Sequence, residues 1–168
     1  MKGTVKHDKK INVWGCFAAC GVGHLHRIHG IMNKEVYLDI LENVALPSCE
    51  ALFPADADGH HDYMFQQDKD PKHTAKRVMR YLKKNFNLIH GDPLDWPAQS
   101  PDLNPIENLW AQLDFATKDR VCNTEEQLFN VLSEAWHNLP LEYLEGLIES
   151  MPRRIEAVLK ARGMSTKY

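Results

Sequence analysis

The order of the hydrophobic patterns most constrains the fold that this chain of 168 residues can adopt. Strand-like runs come first, strand and helix patterns alternate in the middle, and only helical patterns follow residue 104. This order predicts a layered α/β domain with a helical C-terminal part. The length predicts a single domain over residues 1–168 that can bury a core without disulfide cross-links.

Local residue types set the expected bounds of these elements. Runs of β-branched and aromatic residues, or of alternating polarity, predict strands at residues 11–19, 24–30, 62–68 and 87–91. Apolar residues at helical spacing predict helices at residues 33–46, 72–85, from 105 onward, and two or three more within 124–162. The expected start and stop residues are Asn33, Pro47, Asn104, Asn123, Pro140, Pro152 and Gly163.

Composition excludes a few classes of protein. Hydrophobic residues make up 43% and charged residues 26%, and the net charge of −3 does not by itself indicate a nucleic-acid-binding protein. The N-terminus has no signal-peptide core, and no apolar run approaches the ~18 residues of a membrane helix. We therefore expect an intracellular protein without a membrane partner, whose four cysteines are thiols.

The stretch FQQDKDPKHT, residues 65–74, places Asp68 at the end of the predicted strand. Ligands and catalytic groups collect at that end of strands in α/β sheets. Aspartate and proline are equally common in strand-to-helix turns, so the local pattern alone leaves both interpretations open.

Metal-assisted phosphoryl transfer needs more than one carboxylate, because two Mg²⁺ ions clamp the attacking and leaving oxygens. The best partner for Asp68 is Glu107, in the first turn of the helix that begins NPIEN. The spacing of Asn104 and Glu107 also fits a capping box, which alone would explain a glutamate there.

Two long motifs, FQQDKDPKHTAK and WPAQSPDLNPIENLW, closely resemble the catalytic domain of mariner-like transposases of the DDE/DDD superfamily. The segments VWGCFAACGVGHLHRIHGIMN and SMPRRIEAVLKARG resemble the same family, so the likeness covers about residues 4–163. It implies an RNase H-like three-layer fold, and hydrolytic nicking and strand transfer at transposon ends with Mg²⁺ or Mn²⁺ of the two-metal type. It also implies DNA as partner, a homo-oligomeric synaptic complex, and a nuclear location in a eukaryotic host.

Carried over by position, Asp68 matches the second acid of the family's metal-binding triad and Glu107 matches the third. Asp70 matches a non-catalytic motif position, and His73 matches a motif residue near the metals; a locally bonded turn histidine is the alternative for His73. The strand that carries the first acid in the family has no counterpart here, and Asp8 matches a turn rather than that strand. We therefore expect a truncated domain that lacks its first strand and is inactive alone.

The segment KHTAKRVMRYLKK, residues 72–84, carries six Lys or Arg residues and no acid. The candidate contacts to DNA phosphates are Lys72, Lys76, Arg77, Arg80 and Lys83. A merely solvated helix face is the alternative interpretation. A second basic group, Arg153, Arg154, Lys160 and Arg162, is expected to be a solvated face.

Other readings stay open at this stage. Cys16, Cys20, His24 and His26 could suggest zinc, but a strand and a tight turn would scatter these ligands, so no zinc is expected. For the whole chain, a remnant or domesticated domain that only binds DNA or protein is one alternative to a transposase. Another RNase H-like metal-dependent nuclease is the second.

Overall fold

The fold is seen in a computed structural model that describes residues 9–88, residue 97 and residues 100–168. Four short strands come first: β1 Asn12–Trp14, β2 Phe17–Ala18, β3 Gly21–Val22 and β4 His26–Ile28. β1 pairs antiparallel with β4, with Val13 opposite Arg27, and β2 pairs antiparallel with β3. The two strand-like runs predicted within residues 11–30 therefore fold back on each other as a nested hairpin.

The hairpin packs so closely against the helical segment at residues 34–52 that position 23 requires a glycine. A Cβ atom at Gly23 would lie 2.6 Å from Cys16 Sγ and 2.8 Å from Ser48 Cβ. The backbone N–H of His24 donates to Ser48 Oγ at 3.0 Å, which fixes the hairpin against this segment.

The predicted helix at 33–46 is confirmed at its start but not at its end. Asn33 caps α1 (Lys34–Ile40) by accepting from the backbone N–H groups of Glu35 and Val36. A π-helical segment, Leu41–Ala45, leads directly into α2 (Leu46–Leu52), so helical structure continues past Pro47. A proline ring collides with the carbonyl group four residues earlier in a regular α-helix, and the wider π turn just before Pro47 relieves that collision.

The middle of the chain contains less regular structure than predicted. Within residues 62–68 only Phe65 pairs with another strand residue, in an isolated parallel bridge with Leu88, and its N–H donates to the Asn87 carbonyl at 2.6 Å. Residues 89–91 of the other predicted strand lie outside the described residues. Helix α3 spans Lys76–Asn85, so it begins four residues later than predicted, because a hydrogen-bonded turn occupies residues 71–74.

The remaining described elements are helical, as predicted. They are a 3₁₀ turn Pro101–Leu103, α4 Ile106–Thr117, α5 Glu125–His137, α6 Leu141–Glu149 and α7 Met151–Lys160. Thr124, one residue after the predicted Asn123, caps α5 in a capping box with Gln127.

After α7 the first left-handed residue is Arg162 (φ 54°), followed by Gly163 (φ 79°). Their N–H groups bond to Leu159 and Val158 in the pattern of a Schellman motif.

Two main hydrophobic clusters form the core. The first lies between α1 and α3 and includes Tyr37, Leu41, Val78 and Leu82. The second lies between α4, α5 and α6 and is centred on Trp136, which is fully buried and stacks on Trp110 with ring centroids 5.4 Å apart. The indole N–H of Trp136 donates to the Gly23 carbonyl at 2.8 Å, so this residue connects the helical part to the hairpin. In the described part of the chain, no helix has the length and apolar character needed to cross a membrane.

Candidate active site

The carboxylate of Asp68 is held by donors on one of its two oxygens. Its Oδ1 accepts a hydrogen bond from His73 Nδ1 at 2.5 Å and from the backbone N–H of Asp70 at 3.1 Å. These bonds, above all the one from His73, lower the pKa of Asp68 against the opposing effect of partial burial. The side chain is 54% exposed, and Oδ2 has no partner within the described residues. Asp68 is therefore an oriented, ionised carboxylate with one oxygen available to a cation.

The His73 ring is packed as well as hydrogen-bonded. It is 12% exposed and lies against the Tyr37 ring, with centroids 4.0 Å apart and an angle of 32° between the planes. Its Nε2 is buried and finds no hydrogen-bond partner in the part of the chain that the structure describes. Nδ1 carries the proton towards Asp68, because a carboxylate oxygen can only accept.

Tyr37 and Gln67 support this histidine from behind. The Tyr37 hydroxyl donates to Gln67 Oε1 at 2.5 Å, and Gln67 Nε2 donates to the His73 carbonyl at 3.2 Å. Complete burial raises the pKa of Tyr37, and the nearby negative charge of Asp68 raises it further. Sequence reasoning assigned neither residue a role at this site. Tyr37 was interpreted as part of the apolar stripe of a helix. For Gln67, only its position directly before Asp68 could have indicated a role.

Asp70 shapes the turn that delivers His73. Its side chain accepts from the Lys72 backbone N–H at 3.0 Å and from Lys72 Nζ at 2.5 Å, and its carbonyl accepts from the His73 N–H at 2.8 Å. Burial raises the pKa of Asp70, but the hydrogen bonds from Lys72 outweigh this effect and the net pKa is lowered. Lys72, one of the predicted DNA contacts, is thus paired with Asp70.

Glu107 lies in the first turn of α4, is exposed, and has no carboxylate hydrogen bond or ion pair within the described residues. The predicted capping box is wrong. The N-cap position is Pro105, no side chain caps the helix, and Asn104 contributes only its carbonyl, which accepts from the Glu107 N–H at 3.2 Å. A proline at the cap position has no side-chain oxygen to offer. The carboxylate of Glu107 is consequently available to bind a cation.

Arg154 lies behind the segment that leads to Glu107. The expectation of a solvated face is wrong for this residue, which is 2% exposed. Its guanidinium donates to Ser150 Oγ at 2.7 Å, to the Asp102 carbonyl at 3.0 Å and to Asn108 Oδ1 at 2.8 Å. Residue type could not reveal this, because Arg154 and its neighbour Arg153 are both arginines and only Arg153 is exposed, as expected of a basic helix face.

The basic face of α3 lies opposite its core face. Val78, Met79 and Leu82 are buried. The exposed cations are Lys76, Arg77, Arg80, Lys83 and Lys84. The first three form no ion pair with any residue that the structure describes. This is a surface of positive charge that begins three residues after His73.

Carboxylate oxygens are the donors that Mg²⁺ and Mn²⁺ prefer, so Asp68 Oδ2 and the Glu107 carboxylate fit such a cation chemically. No group of three or more His, Cys, Asp or Glu residues able to hold a metal is found within residues 9–88, 97 and 100–168. The cysteines of the hairpin are free thiols that contact other groups: the Cys16 thiol is hydrogen-bonded with the thiol of Cys49, and Cys20 Sγ donates to the Leu52 carbonyl at 3.7 Å.

Comparison with solved structures defines the class of fold. The Mos1 transposase catalytic domain solved with Mn matches with a TM-score of 0.77 and 22% identity, over 94% of this chain and 83% of that chain. The Mos1 mariner paired-end complex with Mn matches with a TM-score of 0.79 and 21% identity, over 99% of this chain and 48% of that chain. The fold is therefore that of an RNase H-like transposase catalytic domain, as the sequence predicted.

Sequence comparison identifies relatives of this chain. The chain is 43% identical over 167 residues to the Tcb1 transposase of Caenorhabditis briggsae and 40% identical over 166 residues to the Tc1 transposase of Caenorhabditis elegans. The chain is homologous to Tc1/mariner transposases along nearly its whole length. In both cases the match covers 98% of this chain but only 57% of the relative. No protein-family model matches the chain.

Proposed function

We propose that this chain is the catalytic part of a Tc1/mariner-type transposase, which cuts and transfers DNA strands at transposon ends with Asp68 and Glu107 as metal-binding acids. One observation carries the proposal. In a chain homologous to these transposases, both acids that match the family's triad keep a carboxylate oxygen without a partner among the described residues. Asp70, the other acid of the first motif, differs from Asp68, because both of its carboxylate oxygens accept hydrogen bonds from Lys72.

Mg²⁺ or Mn²⁺ is the proposed cofactor. Mos1 catalytic-domain structures with Mn and with Mg support the use of a divalent cation in such a fold. The bound cations would activate the attacking hydroxyl and stabilise the leaving oxygen of a phosphodiester. Asp68 and Glu107 would supply two ligand side chains, and His73 would keep the Asp68 carboxylate in one orientation. We assign no residue of this chain to the first acid of the triad.

Transposon-end DNA is the proposed partner. Solved Mos1 paired-end complexes, one of them with the left transposon end, match this chain in fold and support that assignment. Lys76, Arg77, Arg80 and Lys83 on α3 would contact phosphates beside Asp68, and binding would weaken as salt increases. The same comparison supports a homo-oligomeric synaptic complex, and a transposase in a eukaryotic host would act in the nucleus.

Titration calorimetry with Mn²⁺ tests the assignment of the acids. The wild-type chain is expected to bind Mn²⁺, and Asp68→Asn and Glu107→Gln are each expected to weaken binding at least about tenfold. Asp39→Asn is the matched control, because Asp39 is an exposed helix carboxylate that bonds only to Asn43. Equal losses in all three variants, or no Mn²⁺ binding by the wild type, would contradict the proposal.

Nicking assays on transposon-end DNA separate the alternatives. With Mn²⁺ present, we expect the chain alone to bind this DNA in a salt-dependent way but not to nick it. DNA binding without any Mn²⁺ binding would favour the non-catalytic domain. Metal-dependent cleavage of RNA regardless of sequence would favour the other RNase H-like nuclease.

A further inference from the structure

The C-terminal helix α7 contributes a buried positive charge to the region of Glu107. Arg154 is 2% exposed, and no carboxylate lies within ion-pair distance of it in the described part of the chain. Burial lowers the pKa of Arg154, yet an arginine stays protonated at physiological pH. A charge is costly to bury, so its polar contacts must all be well made.

The contacts of this guanidinium lie on both sides of Glu107 in the sequence. Nη1 donates to the carbonyl of Asp102 in the 3₁₀ turn, at 3.0 Å. Nη2 donates to the side chain of Asn108, the residue after Glu107, at 2.8 Å. A guanidinium is a planar group with donors in fixed directions, so it sets the distance between the two acceptors.

Two further contacts orient the guanidinium itself, and one acceptor is held independently. Its Nε donates to Ser150 Oγ at 2.7 Å, and the Ser150 hydroxyl donates to the Leu147 carbonyl at 2.6 Å. The Tyr168 ring covers the guanidinium carbon at 4.9 Å. Asp102 is held from its other side, because the Thr166 N–H donates to its Oδ2 at 2.6 Å. Arg154 is therefore a rigid support rather than a mobile side chain.

The first turn of α4 needs such a support. Its N-terminus has no side-chain cap, and the Glu107 carboxylate makes no contact of its own within the described residues. Glu107 is thus placed by its backbone alone. Arg154, which lies 46 residues beyond Asn108, bonds on either side of Glu107, to the Asp102 backbone carbonyl and to the Asn108 side chain.

We propose that Arg154 is a positioning residue for Glu107, which holds the first turn of α4 at the place where the Glu107 carboxylate takes up its metal ion. This inference rests on the proposed function for the metal, but the contacts on which it depends do not. Arg154 itself touches neither metal nor DNA in this assignment.

The test compares Arg154→Lys with the matched control Arg153→Lys, since Arg153 is the exposed neighbour on the same helix. Lysine keeps the charge and loses the planar set of donors. Arg154→Lys is expected to weaken Mn²⁺ binding about tenfold, as supporting residues of metal sites do, while Arg153→Lys leaves it unchanged. In a Glu107→Gln background the Arg154→Lys change is expected to cost nothing further, because the ligand that it positions is gone.

Amide hydrogen exchange supplies a readout that does not depend on metal. Arg154→Lys is expected to speed exchange within residues 104–110 and to leave residues 68–74 unchanged. If wild-type protein binds no Mn²⁺, the proposed function fails, and the exchange result alone decides the role of Arg154. Unchanged exchange in residues 104–110, or an equal loss of Mn²⁺ affinity in the Glu107→Gln background, would overturn the inference.

Should Arg154→Lys fail to fold, Asn108→Ala replaces it, because that change removes one acceptor and leaves the arginine in place. It is expected to speed exchange in residues 104–110 and to weaken Mn²⁺ binding by a smaller factor than Arg154→Lys. No change in either measurement would count against the inference in the same way.

Discussion

The two proposed metal-binding acids are held in contrasting ways. Asp68 receives hydrogen bonds on its own carboxylate, from residues no more than five positions away in the sequence. Glu107 receives none from the described residues, and the turn that carries it is bonded by Arg154 from a distant helix. A short sequence motif can therefore specify the first support, whereas the second exists only once the helical part has folded.

This contrast has a functional meaning under the proposed assignment. The Asp68 carboxylate is oriented before any cation binds, since His73 and the Asp70 N–H occupy one oxygen. The Glu107 carboxylate has no hydrogen-bond or ion-pair partner among the described residues, so only the turn that carries it is set in advance. We expect Asp68 to be the acid that determines where a metal ion sits, and Glu107 to be the one that adjusts to it.

The largest effect is expected from breaking the connection between the hairpin and the helical C-terminal part. Trp136→Ala removes a fully buried side chain and its bond to the Gly23 carbonyl, so we expect a loss of about 4 kcal/mol in the free energy of unfolding. Urea denaturation measures this loss. Phe115→Ala is the control, because Phe115 is 63% exposed and its removal should cost under about 0.5 kcal/mol. A comparable loss of unfolding free energy in both variants would argue against Trp136 as the connection between the hairpin and the helical part.

The next effect concerns the direct support of Asp68. His73→Ala removes a hydrogen bond to a charged group and a ring packed on Tyr37, so we expect a loss of about 2 kcal/mol in unfolding free energy. The pKa of Asp68 should rise towards the ordinary aspartate value, which carboxyl NMR titration would detect. An unchanged Asp68 pKa would show that His73 is packed against the site without supporting it.

A smaller effect is expected one step further back. Tyr37→Phe removes the bond to Gln67 and should cost about 1 kcal/mol near neutral pH. Because the folded-state pKa of Tyr37 is raised, its contribution to stability is complete below the unfolded pKa of about 10 and is lost as pH rises above it. Unfolding midpoints measured between neutral and alkaline pH should therefore fall less steeply in Tyr37→Phe. Identical pH dependence in both proteins would argue against a buried, neutral Tyr37.

The smallest effect is expected at Glu107 itself. Since its carboxylate has no partner among the residues described, Glu107→Gln should change the unfolding free energy by less than about 0.5 kcal/mol in the absence of metal. A loss above 1 kcal/mol would reveal a hidden contact and remove the contrast with Asp68. Thermal melts in a chelating buffer make this measurement.

Sequence reasoning predicted the residues of the candidate site that depend on local chemistry. Asp68 was marked by the strand-like run before it, and the α3 basic face by its helical spacing. Arg154 could not be found in this way, because burial depends on which helices pack together and its sequence neighbour Arg153 is exposed. The role of Tyr37 stayed hidden for a similar reason: a tyrosine in an apolar stripe shows no partner for its hydroxyl until the turn with Gln67 is in place.

Local rules also failed where two of them competed. Pro47 is a strong stop signal, but the π segment Leu41–Ala45 allows the helix to continue through it. The spacing of Asn104 and Glu107 satisfied a capping rule, but Pro105 took the cap position. In both places a neighbouring feature decided where the helix begins or continues. A search for single motifs does not detect such competition between local rules.

The π-helical segment Leu41–Ala45 also limits the insertions and deletions that homologues of this chain can accept. Before this segment, the Tyr37 ring packs against the His73 ring. After it, Ser48 accepts a hydrogen bond from the backbone N–H of His24 in the hairpin. One residue accounts for about 100° of helical rotation, so the wider turn sets the phase between these two faces. Deleting a single residue from Leu41–Ala45 would rotate Ser48 away from the hairpin while leaving Tyr37 in place. Homologues of different length in this segment would have to rebuild one of the two contacts, so indels here should be rarer than in any surface loop.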